Sequence, residues 1–334
     1  MVGASGYLGA ELLRLLAGHA GIEVAALQAD SSSGRLLAEL YPGLSGAYAK
    51  RVLDPLEPSR LGGLDVVFVA VPAGHSQEIV PALRDAGVGC VVDLGPDFRL
   101  RDPAAYEAWY GFAHRAPALL AEAAFGLPEL YRASLPGARL VAAPGCYVTA
   151  AALGLAPLVA GGHIDPAAIV VDAASGTSGA GRAPGAATHH ATVNESFSAY
   201  KVLAHRHTPE MEQVIGATVV FTPHLAPMTR GILATCYARS AGPTSTAALT
   251  AALRDAYAGE PFVEVVDDPP ATRDVYGANV ARIAARFDQR TGYVLVFSAI
   301  DNLTKGGAGQ ALQAANVALG LEEGAGLPHV ALVP

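Results

Sequence analysis

The chain has 334 residues, about half of them hydrophobic, which is enough for two domains that each bury a sizeable core. No uninterrupted apolar run approaches the ~20 residues of a membrane span, and a net charge of −8 with pI near 5.7 and no Lys/Arg run argues against nucleic acid as the main partner. Cys90, Cys146 and Cys236 are odd in number and widely spaced, so they fit neither a disulfide framework nor a zinc cluster and suit a reducing cytoplasm. No basic n-region or cleavable apolar segment opens the chain, which speaks against secretion.

Gly3-Ala-Ser-Gly-Tyr-Leu-Gly9, followed by Glu11-Leu-Leu-Arg-Leu-Leu16, predicts a glycine-rich turn feeding a helix. Residues 22–27 then read as a short apolar strand, completing the turn, helix and second strand of a dinucleotide-binding unit. Only Met1 and Val2 stand where the first strand belongs. The central strand of the sheet is therefore expected to be nearly absent, from a start placed downstream or a truncated chain. Strands at 65–71, 89–93 and 139–143, with a helix at 76–86, predict a parallel, doubly wound Rossmann-type sheet.

Beyond residue 144 the pattern changes. A helix to about residue 160 precedes a strand at 168–172 and a polar, Gly-rich stretch over 175–200, too long to be an idle loop and suited to an arm that packs on a partner. Strands recur at 218–221, 231–237, 279–283 and 293–297, with a helix at 246–257. This half reads as an α+β domain built on a mixed, largely antiparallel sheet. A last helix at 309–319, apolar on one face, is expected to return to the first domain. The expected divisions are 1–143 for dinucleotide binding, 144–304 for catalysis, substrate and oligomerisation, and 305–334 for the returning helix.

Backbone N–H groups at Tyr7, Leu8 and Gly9, reached through a turn at Gly3, Ser5 and Gly6, would hold a pyrophosphate at the helix start. About 20 residues on, where the ribose is read, comes Gln28-Ala-Asp-Ser-Ser-Ser-Gly-Arg35. Asp30 suits the 2′-hydroxyl of NAD, whereas Ser31, Ser32, Ser33 and Arg35 suit the 2′-phosphate of NADP; a plain surface loop has the same composition. NADP is the preferred reading, with NAD the alternative.

In Val141-Ala-Ala-Pro-Gly-Cys-Tyr-Val-Thr149 an apolar strand meets an alanine-rich helix whose first turn holds Cys146. Backbone N–H groups and the positive end of the helix dipole favour a thiolate there; a small buried hydrophobe is the competing reading. Cys90 and Cys236 lie within apolar strands and read as core. Among ten histidines, His205 and His207 precede Thr208-Pro209, a good N-cap and first helical residue. A ring there is kept mostly neutral by the dipole, which suits proton transfer near neutral pH. Ordinary loop histidines bonded to backbone are the alternative. No carboxylate or cysteine has ligand spacing to them, so no metal is expected.

Further blocks stand in register with the cysteine: Asp93-Leu-Gly-Pro-Asp-Phe-Arg-Leu100, Phe125-Gly-Leu-Pro-Glu-Leu130, Ser175-Gly-Thr-Ser-Gly-Ala-Gly-Arg182, Val193-Asn-Glu195, Ala199-Tyr-Lys201, His205-Arg-His-Thr-Pro-Glu210, Phe221-Thr-Pro-His-Leu-Ala-Pro-Met-Thr-Arg-Gly231 and Asp301-Asn-Leu-Thr-Lys-Gly306. From Gly3 to the last helix the chain resembles the N-acetyl-gamma-glutamyl-phosphate reductases of arginine biosynthesis, relatives of the aspartate-semialdehyde dehydrogenases. The resemblance implies NADPH-dependent reduction of an acyl phosphate to an aldehyde with release of phosphate. A thioester on Cys146 would fix the acyl group and let phosphate leave first.

The same resemblance assigns the acid/base to His207, with His205 as a substrate contact, or the reverse. Arg99, Arg182, Arg206 and Arg230 become candidates for the substrate's phosphate and carboxylate. Glu210 could accept from a histidine or the substrate amide, or simply cap its helix. Ser175, Ser178 and Gly179 belong to a loop that allows close backbone approach to cofactor or phosphate, and Asn302 is implied as the nicotinamide carboxamide contact. A homodimer or homotetramer is implied, with 175–200 as an intersubunit arm.

The chain departs from the family pattern at Val148, where a second proline is usual, and at Ala29-Asp30-Ser31, where Ser-Arg-Ser is common and a 2′-phosphate partner is lost. Two rivals stand beside this reading: an aminoadipyl-phosphate reductase of carrier-protein-dependent lysine biosynthesis, and a retired nucleotide-binding protein that kept the fold. Residues 179–182 and 193–195 favour the arginine enzyme over the first. Intact Cys146, His205 and His207 argue against the second.

Overall fold

The computed structural model describes residues 1–167 and 169–333; Ala168, where the strand expected at 168–172 would begin, lies outside the described residues. The chain forms two compact units, one of Met1–Pro144 with Gly307–Leu327 and one of Gly145–Gly306 with Pro328–Pro334. The helices of eight or more residues are α1 (Tyr7–Leu16), α2 (Ser76–Asp85), α3 (Cys146–Ala160), α4 (Thr208–Ile215), α5 (Thr246–Ala256) and α6 (Gly309–Ala318). None of the described helices is long and apolar enough to cross a membrane.

In the first unit β1 (Val66–Val69), β2 (Cys90–Asp93), β3 (Ala124–Phe125) and β4 (Leu140–Ala142) form a parallel sheet in the order β1-β2-β4-β3. These strands are nearly continuous apolar runs, as expected of parallel strands covered on both faces. Val67, Val69, Val91 and Leu140 pack with Val80, Leu83, Phe98 and Tyr106 in one core. The strand expected at 22–27 is an extended segment bridged only at Gln28. Its partner is too short to make a ladder: Val2 donates to Phe68 O at 2.8 Å and accepts from Ala70 N at 3.0 Å, so a single residue stands in the central strand position.

Helix α6 was expected to be apolar on one face, yet residues 309–316 are buried all round. Two of its polar side chains find partners inside: Gln313 Nε2 donates to Glu129 Oε1 at 2.7 Å, and Asn316 Oδ1 lies 3.0 Å from His19 Nε2, whereas the buried amide of Gln310 meets no hydrogen-bond partner among the described residues.

The second unit is built on a seven-stranded sheet in the order β6-β7-β5-β8-β11-β10-β9. Its members are β5 (Ile169–Ser175), β6 (Ser198–Ala199), β7 (Val219–Leu225), β8 (Ile232–Arg239), β9 (Val263–Val265), β10 (Ala281–Asp288) and β11 (Tyr293–Ile300). Four of its six pairings are antiparallel; β5–β7 and β9–β10 are parallel. Alternation along β5 and β8 buries Val171, Ala173, Ala234 and Cys236 on one face. Helix α3 lies on that face, where Gly154 approaches so closely that a Cβ would stand 2.9 Å from Val296 Cγ1. The opposite face, with Val170, Thr235, Tyr237, Leu295 and Phe297, is only half-buried.

The 175–200 stretch contains short 3-10 turns, one helical turn at His190–Val193, and β6, which pairs with β7 at the sheet edge. Glu195, Lys201 and Leu203 adopt left-handed backbone with φ of 59°, 46° and 58°.

Candidate active site

Cys146 is the first residue of α3, after an extended N-cap at Gly145 with no side-chain cap. The first N–H groups of the helix are thus left to face whatever the thiol binds. Helix α4 begins one residue earlier than the sequence suggests: Thr208 is already helical and His207 is the N-cap. Two side chains from this helix start meet at Gly145. Glu210, fully buried, accepts the Gly145 N–H through Oε1 at 2.9 Å. The His207 ring lies over the same residue, where an added Cβ would stand 2.4 Å from Nε2. From the far side Gly306 presses on the cysteine, and a Cβ there would meet Cys146 Cβ at 2.8 Å.

His205 stands in an aromatic box. Its ring centroid is 5.5 Å from Tyr147, 5.6 Å from Tyr200, 5.2 Å from Phe221 and 4.8 Å from His207. Burial first, then the charges of Lys201 and Arg206, lower its pKa to about 4, so the ring is neutral near neutral pH. Its Nδ1 accepts the His207 N–H at 3.1 Å, which leaves the proton on Nε2. Tyr147 donates its hydroxyl to His224 O at 3.2 Å and lies 3.1 Å from the Tyr200 hydroxyl. Burial, then Tyr200 and Cys146, push the Tyr147 phenol far up, and burial pushes Tyr200 up to about 12.

The loop after β5 is zipped to 228–231 by Gly176 N to Gly231 O, Thr177 N to Met228 O and Ser178 N to Thr229 O. Asn302 is committed at both ends: Oδ1 accepts from Gly231 N at 2.7 Å and Nδ2 donates to Ser178 Oγ at 2.9 Å. Arg230 makes a two-pronged pair with fully buried Asp301, each bond 2.9 Å, and also reaches Thr304. Gly179 and Arg182 are exposed and Arg206 is half-buried, while Ser175 and Ser178 are buried. The second unit therefore brings the start of α4, with His205, Arg206, His207 and Glu210, to the start of α3, where Cys146 stands; Asn302 holds the loop after β5 and Arg230 holds Asp301 and Thr304. Gly145, Tyr147, Tyr200 and Gly306 all stand within the blocks quoted from the sequence, which gives them no place in the site.

In the first unit the glycine-rich turn is tight. A Cβ at Gly3 would meet Ala70 O at 2.1 Å and one at Gly9 would meet Gly3 O at 2.6 Å, whereas Gly6 faces nearly open space. Gly6 caps α1 without a side-chain bond, and Ser5 O accepts from Tyr41 Oη at 2.8 Å. Leu8 is half-buried and Tyr7 exposed, so this helix start fits a pyrophosphate. Ser31 and Arg35 are exposed, Arg35 lying 3.7 Å from Glu39, while Ser32 is buried. Arg99 is buried and donates Nη2 to Leu94 O at 2.9 Å. Among the described residues no group of three His, Cys, Asp or Glu side chains could hold a metal ion.

Comparison with known proteins places the chain in a family. The family described as semialdehyde dehydrogenase, NAD binding domain, matches residues 1–138, and the semialdehyde dehydrogenase dimerisation domain matches 146–302. Solved structures of similar fold include aspartate semialdehyde dehydrogenase II from Vibrio cholerae, with TM-score 0.71 and 16% identity over 95% of this chain and 96% of that one. The aspartate semialdehyde dehydrogenase with NADP from Candida albicans has TM-score 0.70 and 18% identity over the same shares. The architecture is that of the semialdehyde dehydrogenases.

Within that class, N-acetyl-gamma-glutamyl-phosphate reductase of Geobacter sulfurreducens is 48% identical over 100% of this chain and 99% of its own length. The protein of that name from Symbiobacterium thermophilum is 48% identical over 98% of this chain and 96% of its own. The chain belongs to the N-acetyl-gamma-glutamyl-phosphate reductase family.

Proposed function

We propose that this protein reduces N-acetyl-L-glutamyl 5-phosphate to N-acetyl-L-glutamate 5-semialdehyde, releasing phosphate, in arginine biosynthesis. The observation that carries the reading is the clamp on Gly145: His207 and Glu210 fix the residue from which Cys146 enters its helix. The thiolate, favoured at a helix start, adds to the acyl carbon, and collapse of the adduct expels phosphate and leaves a thioester on Cys146. NADPH, when bound, supplies the hydride that reduces this thioester. His207 gives a proton to the oxygen of the hemithioacetal that results and takes it back as the C–S bond breaks, which frees the aldehyde and returns Cys146 as thiolate; in the reverse direction it takes the proton from the thiol. His205, neutral with its proton on Nε2, donates a hydrogen bond to substrate.

Arg182 and Arg206 are the arginines we assign to the substrate's phosphate and carboxylate. Asn302 acts by ordering the 175–179 loop and Arg230 by holding Asp301 and Thr304, since those polar atoms are already engaged. Arg99, bonded to a backbone carbonyl, shapes the turn after β2. The turn from Gly3 to Gly9 would hold the pyrophosphate, and Ser31, Ser32 and Arg35 the 2′-phosphate of NADP, with NAD the second choice. The half-buried sheet face, the arm bearing Phe197 at 61% exposure, and Leu203 just beyond it at 74% support a homodimer or homotetramer. A cytoplasmic setting suits three cysteines this widely spaced and odd in number.

The test follows the near-ultraviolet absorbance of reduced nicotinamide with N-acetylglutamate semialdehyde, phosphate and NADP⁺ or NAD⁺, for wild type and Cys146→Ser. Phosphate-dependent reduction that vanishes in the variant is expected. No turnover by folded protein sinks the assignment and moves attention to the aminoadipyl substrate.

A further inference from the structure

Asp93, the last residue of β2, and Asp97, in the turn beyond it, are both fully buried. Between them stands Ser76, the first residue of α2, its Oγ 3.0 Å from Asp93 Oδ2 and 3.0 Å from Asp97 Oδ2. A serine hydroxyl has one proton to donate. It satisfies one carboxylate, and the second contact is a hydrogen bond only if the other carboxyl brings its own proton. Without that proton, lone pairs face each other where no water can compensate.

The remaining bonds say where the proton sits. Asp97 accepts the Gly74 N–H at 2.8 and 3.0 Å and the Gln77 N–H at 3.3 Å, donors at a helix start that favour an anion. Asp93 accepts the Gly95 N–H through Oδ1 at 2.9 Å, while its Oδ2 faces Ser76. The chain therefore runs from a protonated Asp93 through Ser76 to an Asp97 carboxylate. Burial, then the charge of Asp97, push Asp93 up to about 7, in agreement with this count.

These residues tie together the turns that leave β1 and β2 at their C-terminal ends, the edge where open parallel sheets bind ligands. The first turn starts at Ala70, whose carbonyl packs on Gly3 so tightly that a Cβ there would stand 2.1 Å away. We propose that Asp93 is a positioning residue for the dinucleotide: its proton, shared through Ser76 with Asp97, holds the 70–77 turn against the glycine-rich turn and couples cofactor binding to pH. This rests on the first unit being the cofactor domain.

The charged groups facing the pair are Arg99, beside Asp93, and His114, whose Nε2 lies 2.7 Å from Asp97 O and whose pKa burial lowers. Glu78 of α2 points away to Arg115. Strands β1 and β4 and helix α6 carry no titratable residue. As pH rises through neutrality the proton leaves, two buried carboxylates oppose each other, and the turn loosens. Asparagine at 93 mimics the protonated acid, with an N–H for Ser76 and an oxygen for Gly95.

The test is NADPH affinity, read by fluorescence titration of wild type and Asp93→Asn, with carbon NMR titration of the wild-type carboxyls. Expected is a wild-type affinity that weakens about tenfold between about pH 6.5 and about pH 9, the ratio for a one-unit coupled shift. Asp93→Asn should bind with a flat profile. One carboxyl should titrate near neutrality in the wild type, an arm that needs neither variant nor cofactor. A flat wild-type profile, an unchanged slope in the variant, or no such carboxyl overturns the proposal. A carboxyl titrating near neutrality in folded protein that binds no NADPH at any pH overturns the cofactor reading, and the positioning role with it.

Discussion

The imidazole of His207 rests directly on Gly145: a Cβ at that glycine would stand 2.4 Å from Nε2 and 2.7 Å from each neighbouring ring carbon. The backbone at 145 is extended, with φ −69° and ψ 145°, which alanine adopts without strain. The nearest atoms a side chain would meet there are those of the ring. Gly145→Ala should therefore fold normally while displacing the imidazole, and kcat should fall about 10²–10³-fold, within the range for a misplaced acid/base. Steady-state kinetics beside a thermal melt check this; an unchanged kcat would remove His207 from the chemistry.

Glu210 serves the same residue differently. Its buried carboxylate accepts the Gly145 N–H at 2.9 Å, a donor that would otherwise lie inside the protein without that partner. Glu210→Ala should cost about 1–3 kcal/mol of stability, whereas Glu210→Gln, which keeps an acceptor oxygen, should cost less. Denaturant midpoints of the two variants decide it. Equal losses would point to charge rather than the hydrogen bond.

Much of this was legible in the sequence because local chemistry wrote it there. The thiol at 146 followed from Pro144-Gly145 ahead of an alanine-rich run, and the parallel sheet from apolar strands alternating with helices. What escaped depends on contacts distant in sequence. The strand expected at 22–27 fails to form a ladder because its partner contributes little beyond Val2. The polar atoms of Asn302 are claimed by Ser178 and Gly231, residues 124 and 71 positions away, which no motif reveals. Helix α6 reads as amphipathic only if its glutamines and asparagine are assumed to want water; inside the first unit Gln313 and Asn316 find polar partners instead.

The three cysteines should separate by reactivity. Burial pushes the Cys90 thiol up to about 11 and the Cys236 thiol up to about 12, so neither offers much thiolate near neutrality. Cys146 is half-buried at a helix start. Iodoacetamide at neutral pH should label Cys146 at least about tenfold faster than either of the others, and peptide mapping over time reads the order. Comparable rates at all three would sink the nucleophile assignment.

Two buried groups should shape stability against pH in opposite directions. His205 titrates near 4 in the folded chain against an ordinary 6.5, so between those values the unfolded chain binds more protons than the native one. Stability must then fall as pH drops through that window, by on the order of 3 kcal/mol from this residue. Asp93 is raised from 3.8 to about 7, so there the native chain binds more protons, and its contribution is lost as pH rises through about 7. In the wild type the two slopes oppose each other across mildly acid pH. His205→Asn should gain on the wild type as pH drops from about 6.5 to about 4, while Asp93→Asn should gain on the wild type above neutrality and lose that advantage near pH 4. Thermal midpoints of the three proteins across this range carry the test. Parallel curves would mean that neither group changes its protonation on folding.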